Sequence, residues 1–136
     1  MRNHSAIHAV RCCCDALLAL AARLPDSRRM ETAVEPYFGG KLPAENLGPY
    51  MEISPINHVD QIRTPLFVAA TTGDKTVPLN LHSGRLIDVL KAHDKVFESK
   101  IYENAPGDHI FLFGDSDERK DLFERTFTFL AKYLKP

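Results

Sequence analysis

Five consecutive apolar residues, Leu66 to Ala70 (LFVAA), constrain this chain more than any other feature of its sequence. They are bounded by Thr64-Pro65 on one side and by Thr71-Thr72-Gly73-Asp74 on the other. A run this short and wholly apolar, stopped at each end by turn-forming residues, suits a strand buried on both faces. Burial on both faces requires helices above and below the strand, the arrangement of a parallel sheet in an α/β fold.

The flanking segments follow the same logic. Ser54-Pro55 starts a short helical turn through Ile62, with proline at a first-turn position where its missing N–H does no harm. Leu79 to Ala92 reads as a helix with Leu79, Leu86, Ile87 and Leu90 near one face, and residues 96–102 (VFESKIY) read as a second strand, of mixed polarity and so nearer a sheet edge. Asp117 to Leu134 is an amphipathic helix in which Phe123, Phe127, Leu130 and Leu134 step by four, three and four. Its acidic start and basic end complement the helix dipole. The aromatic series Phe123, Phe127, Phe129 and Tyr133 is expected in the core. Upstream, residues 5–24 have helical composition, and residues 35–55 form an irregular connecting stretch broken by Pro36, Gly39-Gly40, Pro43, Gly48-Pro49 and Pro55. From residue 55 onward the order helix, strand, helix, strand, helix implies β–α–β units in three αβα layers. Two strands alone make a marginal sheet, so the sheet is expected to be incomplete.

Bulk composition excludes several classes of function. A length of 136 residues allows one domain. Seventeen Lys plus Arg against eighteen Asp plus Glu, a net charge of −1, leave no basic stripe for a nucleic-acid backbone. Residues 16–24 (ALLALAARL) fall well short of the roughly 20 apolar residues of a membrane span. The three cysteines, Cys12, Cys13 and Cys14, are adjacent and poorly placed to close disulfides, which points to a reducing, cytoplasmic setting. His4, His8 and Cys12 share a helical face at four-residue steps, but three ligands without a fourth do not make a zinc site. No metal or cofactor is expected. His58, His82 and His93 have no clustered partners and are expected at the surface.

Chemistry in an open parallel sheet gathers beyond the carboxyl ends of the strands. Two segments occupy that position, TTGDKTVP (71–78) after the first strand and ENAPGDHIF (103–111) after the second. Neighbouring strands lie about 4.8 Å apart, so a carboxylate at Asp74 and an imidazole at His109 can meet. A carboxylate that orients a histidine is two thirds of a serine-hydrolase triad.

The stretch SPINHVDQIRTPLFVAATTGDKTVP resembles that of prolyl-oligopeptidase-like serine peptidases, where an SP-x-N-x-V-x-x-I-x-TP segment leads into a strand and a G-x-D-x-x-VP turn. The resemblance extends to YENAPGDHIF and to FERTFTFLAKYLKP, so that it runs over roughly residues 35–136. It implies an α/β-hydrolase domain in which Asp74 is the triad acid and His109 the base, in the chain order of that fold. It also implies an oligopeptide or acyl substrate for the parent enzyme. No G-x-S-x-G turn occurs in the sequence, and the upstream serines, Ser5, Ser27 and Ser54, lack flanking glycines. Thr71-Thr72 stand where the family often has His-Gly. The expectation is a C-terminal part of the domain from residue 30 onward, preceded by an unassigned helical segment, 1–29. Its nucleophile and oxyanion hole would lie elsewhere, so the chain would be inactive alone. A non-catalytic remnant that self-associates, half of a split enzyme, and a dienelactone-hydrolase-like esterase are the alternatives.

Overall fold

The computed structural model describes residues 39, 41 and 45–134. The helix expected over residues 5–24, the cysteine triplet and the His4–His8–Cys12 face lie outside these residues. Two strands, β1 (Leu66–Thr71) and β2 (Phe97–Tyr102), pair in parallel, with Leu66 opposite Phe97 and Thr71 opposite Tyr102. Helix α1 covers Leu47–Ile53, α2 Ser83–Ala92 and α3 Asp117–Tyr133, with short 3-10 turns at Pro55–Gln61, Leu79–Leu81 and Asp108–Phe113. The sheet is open and flanked by helices on both sides.

Alternation along β1 divides the core. Leu66 and Val68 join Val59, Leu86, Ile87 and Leu90 on one face, with Phe97 and Ile101 of β2 packed against them. Phe67 and Ala69 pack on the opposite face with Tyr102, Ala105, Phe111 and Leu122. The uninterrupted apolar run is thus the sequence trace of a strand covered on both sides. Lys95, just after α2, ties down the end of the Pro55–Gln61 segment packed on the same face, its Nζ donating to the carbonyls of Asp60 and Ile62.

Four expectations are corrected. Residues 47–53 form a helix rather than loop, because Gly48-Pro49 sit in its first turn, where proline costs no hydrogen bond. Tyr50 anchors this helix, buried to 2% exposure and donating its hydroxyl to the Lys41 carbonyl; burial raises its pKa. The helix expected from Leu79 is interrupted at His82, whose backbone is non-helical. His82 is not a surface residue: at 1% exposure it turns inward where the 3-10 turn meets α2.

The fourth correction concerns α3. Phe129 is buried and packs its ring 5.6 Å from that of Phe67, while Tyr133 is half-buried. Phe123 and Phe127, expected in the core, are exposed, the latter to 65%. Two polar contacts accompany the roll of the helix on the sheet: Tyr102 donates to the Asp121 carboxylate at 2.8 Å, and Lys132 pairs with Glu98 at 2.7 Å. That roll turns Leu122 and Phe129 inward and leaves the adjacent stripe in solvent. The Arg125 hydrogen bond, and then that of Tyr102, hold the Asp121 carboxyl below its ordinary range. Burial, followed by the Asp121 hydrogen bond, pushes the Tyr102 phenol well up. No helix among the described residues is long and apolar enough to cross a membrane.

Candidate active site

Because Thr71 and Tyr102 are level in the ladder, both strands end at the same edge of the sheet and both following loops leave from it. The first carries Asp74. Its Oδ1 accepts backbone N–H bonds from Thr76 at 2.9 Å and Val77 at 2.7 Å, an Asx-type turn that fixes the carboxylate plane. The second loop reverses through residues with positive φ, Asn104 at 47°, Gly107 at 90° and Asp108 at 47°. Asn and Asp tolerate this left-handed region better than most side chains. The reversal delivers His109 on the first turn of the Asp108–Phe113 segment.

The two sequence-derived residues meet. His109 Nδ1 donates to Asp74 Oδ2 at 2.9 Å. The Asp74 side chain is 12% exposed and that of His109 35%, so the carboxylate is largely sheltered while the ring reaches the surface. A carboxylate accepting from Nδ1 selects the neutral tautomer protonated there, which makes Nε2 the basic nitrogen of the ring. It also stabilises the imidazolium once Nε2 takes up a proton. The arrangement is therefore suited to accept a proton from a nucleophile and return it to a leaving group.

Several contributors to this geometry were not recognised from sequence as site residues. Thr71, at 2% exposure, accepts from the N–H groups of Gly73 at 3.3 Å and Ala105 at 2.9 Å. Thr72 Oγ1 accepts from Asn104 N–H at 3.0 Å. Gly73 lies where the loops touch: a Cβ there would stand 3.0 Å from Asp108 Oδ1 and 3.3 Å from the Asn104 Cα. The available signal was the pair of hydroxyl-bearing β-branched residues closing an otherwise apolar strand.

Of the three upstream serines, Ser54 is described; it is buried at 3% exposure ahead of the Pro55–Gln61 turn. Ser5 and Ser27 lie outside the described residues. The other two histidines expected at the surface divide: His93 is exposed, and His58 is half-buried with Nε2 bonded to the Glu52 carbonyl. Among the described residues, no group of three His, Cys, Asp or Glu is placed to hold a metal ion.

Comparison with known proteins bears on this geometry. The model of the prolyl oligopeptidase family matches residues 22–136. A similar solved structure is the crystal structure of Porphyromonas gingivalis dipeptidyl peptidase 4, with a TM-score of 0.57 and 21% sequence identity over 68% of this chain. At that identity the likeness concerns the fold, that of an α/β-hydrolase. The present chain spans 12% of that peptidase chain. No curated protein sequence matches.

Proposed function

The chain belongs to the prolyl oligopeptidase family, and on that premise we propose that Asp74 and His109 are the acid and base of a serine-peptidase triad whose nucleophile comes from outside these 136 residues. The observation that carries the reading is the 2.9 Å bond from His109 Nδ1 to Asp74 Oδ2, formed across 35 positions of sequence. In the assembled site a serine hydroxyl attacks the scissile carbonyl while Nε2 of His109 takes its proton. His109 then returns that proton to the leaving amine, and Asp74 holds the ring and its developing charge throughout. The substrate class is an oligopeptide or an acylated amino acid.

The missing nucleophile is supported by the absence of any G-x-S-x-G turn in the sequence. A serine outside such a strained strand-to-helix turn is not presented to the base with an oxyanion hole beside it. A segment completing the sheet fits against β1, which among the described residues pairs only with β2.

Labelling with a serine-directed fluorophosphonate tests the proposal. The isolated chain is expected to stay unlabelled and to leave dipeptidyl and acylaminoacyl amides intact. A strand–G-x-S-x-G–helix segment supplied in frame or as a second chain is expected to bring labelling and turnover. In that completed domain, His109→Ala or Asp74→Asn should lower turnover on the order of 10⁴-fold. His109-dependent labelling of the isolated chain would show that a nucleophile is already present. Turnover in the completed domain that ignores both substitutions would remove the acid–base assignment.

A further inference from the structure

Resting on the reading of Asp74 and His109 above, we propose that Thr71 and Thr72 are positioning residues, whose hydroxyls clasp the acid turn to the base loop and so set the Asp74–His109 hydrogen bond. The last backbone bond of the ladder runs from Thr72 N–H to the Tyr102 carbonyl at 2.9 Å. Beyond it the two chains leave the sheet, and the N–H groups of Gly73, Asn104 and Ala105 donate to threonine hydroxyls. The Ala105 N–H is buried and demands a partner, and together with the more open Gly73 and Asn104 N–H groups it lets side chains extend the ladder by one further rung.

The connectivity of that rung makes it a device for alignment. One hydroxyl, Thr71 Oγ1, holds both loops at once: Gly73 on the acid side, immediately before Asp74, and Ala105 on the base side. Thr72 adds a second strap to Asn104, lying also 3.5 Å from its side-chain oxygen. Between the straps the loops are in contact at Gly73, against Asn104 and Asp108. Asp108 directly precedes His109, so freeing the rung would let the carboxylate and the imidazole drift in separate loops. A drift of about 0.5 Å is enough to spoil a catalytic geometry.

A purely structural role would also make these hydroxyls matter for stability, so the test reads the site directly. The Nδ1–H proton of His109 in the full chain gives an NMR resonance sensitive to its hydrogen bond, and Asp74→Asn marks where it lies once the carboxylate is lost. Thr71→Val, nearly the same shape without the hydroxyl, is expected to move that resonance toward the Asp74→Asn position or to broaden it away by exchange. Thr71→Ser, which keeps the hydroxyl, is expected to restore it. Thr72→Val, at an exposed position, should produce a smaller shift in the same direction, and it decides the matter if Thr71→Val does not fold. A wild-type resonance in folded Thr71→Val, or in Thr72→Val where the former is unfolded, overturns the clasp. Insensitivity of the resonance to Asp74→Asn removes the acid–base pairing itself, and the clasp falls with it.

Discussion

A methyl group added at Gly84 would stand 2.8 Å from the carbonyl oxygen of Leu79, and that neighbour is backbone, unable to swing aside. The 3-10 turn at Leu79–Leu81 packs directly against the first turn of α2 here. Gly84→Ala should gain at most about 1 kcal/mol of helix propensity and lose about 1–3 kcal/mol to overpacking. A net fall in melting temperature is the expected result; an unchanged or raised value would mean that the turn and helix separate easily. Single residues also show where sequence reading stops. The meeting of Asp74 and His109 was legible because each follows one of two neighbouring strands inside a recognisable motif. His82 and the Thr71 hydroxyl were not, since burial of a polar group depends on where distant chain arrives. The bond from Ala105 to Thr71 joins residues 34 apart, and no local pattern announces it.

Helix α3 shows the same limit one level up. Its existence, extent and charge order could be read from the sequence, and Ser116 caps it by accepting from Arg119 N–H. The roll about its axis could not. Two adjacent apolar stripes compete for the sheet, and periodicity alone does not distinguish them. Leu122 and Phe129 are the ones buried, and polar contacts from Tyr102 and Glu98 to Asp121 and Lys132 accompany that choice. The consequence is a large asymmetry between phenylalanines two positions apart. Phe129→Ala should cost about 3–5 kcal/mol, as a large core truncation does, whereas Phe127→Ser should stay within about 0.5 kcal/mol, as exposed substitutions do. Denaturant titration of the two variants measures this, and equal costs would mean that α3 sits rolled the other way. Helix α1 was missed for a different reason. Gly48-Pro49 reads as a breaker, yet a first turn has no intrahelical N–H bonds for proline to disrupt.

Across the whole molecule, the layer order, the parallel pairing and the openness of the sheet were all legible, because each follows from the alternation of apolar runs with amphipathic segments. The site and the core are mechanically one object, since the loops bearing Asp74 and His109 both spring from the ends of the paired strands. Leu90, fully buried between α2 and the sheet, tests this at a distance. Leu90→Ala should cost about 2–5 kcal/mol, and the His109 Nδ1–H signal should vanish at the same lowered temperature as the helical signal. Loss of the site well before the helices would divide the molecule into separately melting parts.

The level ending of β1 and β2, Thr71 beside Tyr102, has a last consequence. The approach of carboxylate and imidazole therefore starts from a lattice constant of the sheet, the strand separation, which the threonine rung carries outward into the two loops. An exposed tip such as Glu103 can then be exchanged without shifting the Asp74–His109 contact beneath it.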